Sequence, residues 1–337
     1  MNTTTTFSMK SAPTITAAPR HSGIWLPLAV AVALAAAGPV LTGYLGDMVV
    51  KVMILAIFAL SLELLVGMTG LVSLGHAAYF GVGAYVTVIA SGDGAGNLAL
   101  LVALAMLASA GYALAVGVLS LRTRGVYFIM VTLAFAQMAY FIFHDTPVGG
   151  GSDGIYLYAR PALGPLDMEN RLTVFYVVLA ALVFTYALLA LIRRSRFGAA
   201  LAGIRANEQR MRAAGFATFW YKLAAFVIAG ALAGLAGFLV AARDGVVNPE
   251  MLSWHISGEV LLMVILGGIG HLRGAVLGAI VFTLLKELLS THGIVGPLAD
   301  HWQLTLGLSI IAFVALLPKG LIGLVQRTAR TAKEPRA

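Results

Sequence analysis

The 337-residue chain is 60% hydrophobic and 11% charged, with a mean hydropathy of +0.93. A soluble globular domain is nearer half apolar and a quarter charged, so that class is excluded. The net charge of +8 does not point to nucleic acid, because the basic residues flank apolar runs, the pattern that orients membrane helices. With no cysteine there is no disulfide, thiolate zinc site or thiol nucleophile.

In chain order, residues Met1–Gly23 are Thr/Ser-rich, carry only Lys10 and Arg20 as charges, and are expected to form a disordered tail. A bilayer core takes roughly 20 apolar residues per helix. Runs near that length are Ile24–Tyr44, Met48–Val66, Leu71–Ala90, Asn97–Ser120, Gly125–Phe143, Leu172–Ile192 and Tyr221–Ala242. Gly274–Leu289 and Trp302–Leu317 are shorter, and Gly258–Gly270 reads either as a span or as a re-entrant hairpin. The first run ends near Ala35-Ala36-Ala37, a small-residue stretch like a signal-peptidase site, but apolar sequence continues to Tyr44 and an uncleaved helix is expected.

Charge decides how Gly258–Gly270 is read. If it spans, there are ten helices (eight to ten being the range) with both termini on the side of the basic loop Arg193–Lys222, and that side holds 17 of the 22 Lys and Arg residues. If it is re-entrant, Arg273 and the basic tail 326–337 move to the other face and the positive-inside pattern breaks. The expected fold is therefore an all-α polytopic membrane helix bundle: a transmembrane domain over 24–325 with cytoplasmic ends. Two non-cytoplasmic loops are sizeable. His144–Arg171 contains Gly149-Gly150-Gly151, and Arg243–Ser257 contains Met251, Leu252 and Trp254. The first reads as a mobile surface loop, the second as an interfacial Trp anchor, and both equally as a docking rim for an external protein.

Enzyme chemistry is poorly supported. There is no P-loop, no His-Glu-x-x-His and no Gly-x-Ser-x-Gly, and the seven histidines lack metal-ligand spacing. Ion-coupled carriers place carboxylates or histidines near the midplane. Here Glu63, Glu259 and the Lys286–Glu287 pair lie toward span ends, where they are expected to snorkel to water. The deeper polar residues are neutral: Thr87, Thr132, Gln137 and Tyr85. Each either bonds across helices or lines a water-filled path, and Gln137 is the strongest path candidate because a buried amide leaves up to four bonding positions to satisfy. In Gly67–Tyr85 small residues at 70, 73, 77, 81 and 84 are expected to share one helix face, with His76 placed to accept the Ser73 hydroxyl or to cap a packed interface.

The loop Arg193–Lys222 holds seven of the 22 cations. In it Phe197, Leu201, Ile204, Met211 and Gly215 fall near one helical face, interrupted by Glu208, which faces Arg205 and Arg212 three and four residues away. From the residues alone, an amphipathic helix on anionic lipid and a grip for a soluble partner stand level.

Three blocks, Leu64–Val86 (LLVGMTGLVSLGHAAYFGVGAYV), Phe197–Phe216 (FGAALAGIRANEQRMRAAGF) and Gly258–Ala279 (GEVLLMVILGGIGHLRGAVLGA), resemble the LivM-type permeases in the same order. These are membrane subunits of bacterial ABC importers for branched-chain amino acids, with relatives importing urea, short amides and aromatic acids. The resemblance runs from about Met48 to Gly323. It implies an inner-membrane permease that pairs with a second, homologous permease, two cytoplasmic ATPases and a periplasmic solute-binding protein. No cofactor would bind this chain; ATP and magnesium would sit on the ATPases.

It also implies that the segment 194–220 is the ATPase-coupling element, with Gly203, Ile204, Arg205, Ala206, Asn207, Glu208, Arg210, Met211, Arg212 and Gly215 in the contact. Glu63, Ser73, His76, Tyr85, Thr132 and Gln137 are then the candidates for the translocation path or its helix packing. Glu63 stands where relatives are expected to carry Asn or an acid. The rival readings are an ion-coupled secondary carrier working alone and a non-transporting membrane scaffold.

Overall fold

The structure, a computed structural model, describes residues 25–41, 43–92, 94, 96–163, 166–291, 296, 301–317 and 320–323. The tails expected at 1–23 and 326–337 lie outside the described residues.

The chain is a polytopic helix bundle. Six helices are long and apolar enough to cross a membrane: Gly43–Thr69, Leu98–Ser120, Val126–Asp145, Arg171–Arg194, Thr218–Asp244 and Trp302–Gly323. A bent pair, Trp254–Gly267 with Leu272–Ser290, makes a seventh if taken as one span. Elements are numbered as follows: α1 Trp25–Ala37, α2 Gly43–Glu63 continued by a π-helical turn Leu64–Thr69, α3 His76–Ser91, α4 Leu98–Ser120, α5 Val126–Asp145, α6 Arg171–Arg194, α7 Arg196–Ala206, α8 Glu208–Ala213, α9 Thr218–Asp244, α10 Trp254–Gly267, α11 Leu272–Ser290 and α12 Trp302–Leu316.

The bundle has an inside and a rim. Of the apolar stretches, 78% of that in Gly43–Thr69 and 72% of that in α9 are buried, against 22–33% for α4, α5, α6 and Trp302–Gly323. The first two are thus central, and the others present most of their side chains outward. Helix α3 packs between α9 and α4 with Tyr79 and Tyr85 fully buried. The α3–α9 contact is made at backbone level: a Cβ on Gly237 would lie 1.9 Å from the carbonyl oxygen of Phe80, and one on Gly83 would lie 2.4 Å from that of Gly234. Small residues that let helices approach this closely are the usual glue of membrane bundles.

Three expected elements differ from the observed ones. The first apolar run is divided, since α1 ends at Ala37 and Tyr44 already belongs to α2. The run Leu71–Ala90 becomes helical only at His76, because Gly70 takes a left-handed conformation (φ 76°) that stops the π-helical turn. Gly70 and Ser73 therefore do not share a helix face with Ala77, Gly81 and Ala84. Gly258–Gly270 covers only the later part of a 14-residue helix that opens at Trp254 and ends at Gly267, plus part of the turn where it meets α11 at 117°.

The two large loops are joined: β1 (Ile155–Tyr156) pairs antiparallel with β4 (Val246–Val247), with Ile155 opposite Val247. A second small ladder, β2 (Ala162–Leu163) with β3 (Leu166–Asp167), lies within the first loop. Both loops thus form one cap over the end of α3, and Tyr85 stacks on Phe143 beneath it at 4.2 Å.

Candidate functional site

The basic loop folds as two short helices broken at Asn207. Ser195 caps α7 by accepting from the Gly198 N–H, and the Asn207 side chain caps α8 by accepting from the Arg210 N–H at 2.9 Å. The expected single stripe is therefore split. Leu201 and Ile204 are buried against the permease itself, where α7 packs on α6 and on the π-helical turn. The surface left outward is polar and small, from Arg205, Ala206 and Asn207 through Gln209, Arg210, Arg212 and Gly215 to Phe216. Met211 is half-buried beneath Gly203, where a Cβ would sit 2.8 Å from its sulfur.

Glu208 anchors this surface. It pairs with Arg212 at 2.5 Å and with Lys222 at 2.6 Å, and the Thr218 hydroxyl donates to it while accepting from Arg212 Nε. Burial pushes its carboxyl up, but Lys222 and Arg212 outweigh that and hold it below the usual range. Arg205 is not its partner, contrary to the sequence spacing. The Arg205 guanidinium reaches across to donate to the carbonyl of Gly67 in the π-helical turn.

One turn back, Glu63 is 1% exposed rather than snorkelling. Its Oε1 accepts from the N–H of Gly270, 2.7 Å away, in the turn that opens α11. Gly67 makes room for this, since a Cβ there would collide with the carboxylate. Arg205 and Arg193 supply nearby positive charge. Three elements thus meet at one end of the bundle: the loop helix α7, the π-helical end of α2, and the α10–α11 turn. The sequence placed Glu63 and Arg205 in separate roles because nothing in their 142-residue separation announces the contact.

The mid-bundle candidates are mostly absorbed by packing. His76 bonds Ser61, not Ser73: its Nε2 lies 2.8 Å from Ser61 Oγ. Ser61 spends its hydroxyl proton on the Phe58 carbonyl, so His76 Nε2 must be the donor. Ser73 is buried and accepts from the N–H of Gly75. Thr132 and Thr87 bond backwards to Ile129 and Gly83 in their own helices. Tyr85 reaches the Gly149 carbonyl at 3.4 Å. Gln137 differs: it is half-buried on α5 and makes no hydrogen bond among the described residues.

A charged feature that sequence reasoning missed is the ion pair between Lys286 and Glu259, at 2.6 Å across α10 and α11. They are 27 residues apart, a separation that only the sharp α10–α11 turn brings into register.

The chain resembles known permeases across most of its length. Residues 44–316 match the family described as the branched-chain amino acid transport system / permease component. The high-affinity branched-chain amino acid transport system permease protein LivM of Escherichia coli K12 is 30% identical over 302 residues, 82% of this chain and 69% of that protein. LivM of Salmonella typhimurium LT2 is 29% identical with the same coverage, and LivH of Escherichia coli K12 is 28% identical over 138 residues, 41% of this chain and 43% of LivH. No solved structure matches. With the family match running from residue 44, at the start of α2, to the end of α12, this chain belongs to the permease components of branched-chain amino acid transport systems.

Proposed function

We propose that the chain is one permease subunit of an ATP-driven importer in a bacterial inner membrane. It forms half of the path for leucine, isoleucine and valine delivered by a periplasmic binding protein. The names of the two LivM relatives support this cargo, and the shorter match to LivH supports a second, related permease as its partner. The ATPases and the binding protein follow from that family context, and the chemistry of ATP hydrolysis belongs to them.

The observation that carries the mechanism is the chain of contacts Arg205–Gly67 and Glu63–Gly270. A push on the outward surface of α7–α8, residues 194–220, reaches the end of α2 through Arg205. From there Glu63 passes it to the start of α11 and hence to the α10–α11 turn. ATP energy acts on transport only if the ATPases bind the two permease conformations differently; this contact chain is where such a difference would be felt. Gln137, half-buried on the outward-facing α5 and without a hydrogen-bond partner among the described residues, is the side chain best suited to face the path beside the second permease.

We further place both termini in the cytoplasm, with ten passes. That count requires α1, α3, α10 and α11 each to traverse. Its support is that Gly70, just before Leu71, abuts Arg205 while Tyr85 and Val88 of α3 pack into the β1–β4 cap, so the segment with its irregular start links the two ends, and that 17 of 22 cations then share one face. Irregular backbone at membrane depth is tolerated when buried in protein, as Ser73 and Gly75 are beside Thr132.

Purifying the tagged chain from its native host in mild detergent tests the assignment. Recovery of two ATPases and a second permease is the expected result. A chain isolated alone, whose uptake is abolished by an ionophore and not by ATP depletion, would be an ion-coupled carrier instead.

A further inference from the structure

A cavity of about 440 Å³ lies at the end of the bundle away from α7, walled by α2, α9, α10, α11 and the start of α12. Its size falls within the roughly 300–1,000 Å³ of small-molecule sites. The lining is sorted by depth. On α2, Lys51 lies outermost and Phe58 innermost, about 10 Å further along the axis at 1.5 Å per residue. On α10, Ile256 and Glu259 precede Met263, and on α11 the order reverses, with Phe282 deep and Lys286 outer. The result is an apolar floor of Phe58, Met263 and Phe282 beneath a charged mouth.

The charges at the mouth are unequally engaged. Arg243 is held by Asp244 at 3.3 Å and by the Asp47 carbonyl. Glu287 accepts from Tyr44. Lys286 bonds one oxygen of Glu259 and stands over the Trp302 ring, 5.4 Å from its centroid. Lys51 lines the cavity and makes no hydrogen bond or close ion pair among the described residues; its nearby counter-charge is Asp244, which Arg243 already holds. A lysine eight residues inside a membrane helix is costly unless it meets water or a partner.

We propose that this cavity is a binding subsite for the zwitterionic amino acid itself, inside this one permease subunit. The ligand carboxylate meets Lys51 and Lys286, its ammonium meets Glu259, and its branched apolar side chain points down onto Phe58 and Phe282. The inference rests on the importer reading, since it takes its ligand class from there. What it adds is the place, the orientation and the residues. The Glu259–Lys286 pair opens and each partner gains a ligand-borne counter-charge, with Lys51 sharing the ligand carboxylate, so the exchange swaps one ion pair for another and gives weak, readily released binding, as a transfer site requires.

The test uses the full chain in nanodiscs, labelled with 5-fluorotryptophan and read by fluorine NMR at the Trp302 resonance, assigned with Trp302→Phe. L-Leucine is titrated beside 4-methylpentanoate, which lacks the ammonium, and isopentylamine, which lacks the carboxylate. Expected is a saturable shift with leucine that is at least tenfold weaker with either analogue. Lys51→Met and Glu259→Gln should each weaken the leucine response tenfold or more while leaving the other tryptophan resonances in place. No response to leucine, or equal responses to all three compounds, would overturn the subsite. So would a leucine response unchanged by both substitutions. The same chain, assembled with its partners and binding protein, is assayed in parallel for ATP-driven leucine uptake. Uptake without a Trp302 response sinks the subsite alone, whereas absent uptake with all partners present sinks the importer reading.

Discussion

Glu63 shows how a single carboxylate is kept inside a membrane bundle. It is 1% exposed, yet it accepts from the Gly270 peptide at the start of α11 and lies near two arginines. A helix start leaves peptide donors unpaired, and a carboxylate there satisfies one of them and complements the helix dipole. Glu63→Ala should therefore lose about 1–3 kcal/mol, the cost of orphaning a buried donor. Thermal unfolding in nanodiscs should show a lower midpoint for Ala and a smaller loss for Glu63→Gln, which keeps an acceptor; an Ala variant as stable as the native chain would remove the capping role. Glu208 supplies a pH prediction. Its folded carboxyl is held below the usual range, so its stabilisation is present above the ordinary carboxylate pKa of about 4.3 and fades as pH falls through the lower folded value. Limited proteolysis of the 194–220 segment should accelerate on acidification in the native chain, and Glu208→Gln should be cleaved readily already at neutral pH. Sequence spacing identified Arg212 as a partner because i and i+4 are neighbours on a helix. It missed Lys222 and misassigned Arg205 because Asn207 ends one helix and starts another, and spacing rules do not cross such a break.

At the scale of elements, close backbone approach decides the packing. Gly237 and Gly83 let α3 and α9 touch at main-chain distance, so a side chain at either must push the helices apart. Gly237→Val should cost at least the 1–3 kcal/mol typical of overpacking and sharply reduce folded yield, while Gly111, with open space around it, should accept Ala with little change. Chromatographic homogeneity of the two variants in detergent compares them directly. The long apolar helices α4, α5, α6 and α9 were legible in the sequence because each is a continuous run of membrane length. Short helices were less so. Hydropathy reports apolar length, and it does not reveal that Gly70 halts one helix or that Gly268–His271 turns the chain by 117° between α10 and α11. The candidate site was half legible: composition and charge marked the 193–222 loop, but burial of Leu201 and Ile204 in the permease emerges only once α7 packs on α2 and α6.

At the scale of the whole molecule, the proposed role is force transmission: in that reading the outward face of α7–α8 receives the push, and Arg205 and Glu63 pass it to the sharply bent α10–α11 turn. The family match across 44–316 and the similarity to two LivM proteins establish the kind of machine to which the chain belongs. The most direct measurement of the central claim is ATP-driven leucine uptake by proteoliposomes containing the complete importer, comparing the native chain with Arg205→Ala/Glu208→Ala. The account predicts that the double variant assembles with its ATPases and still hydrolyses ATP, but imports leucine at no more than a tenth of the native rate. Undiminished uptake by that variant would show that the contacts from the 194–220 segment to the bundle do not drive transport.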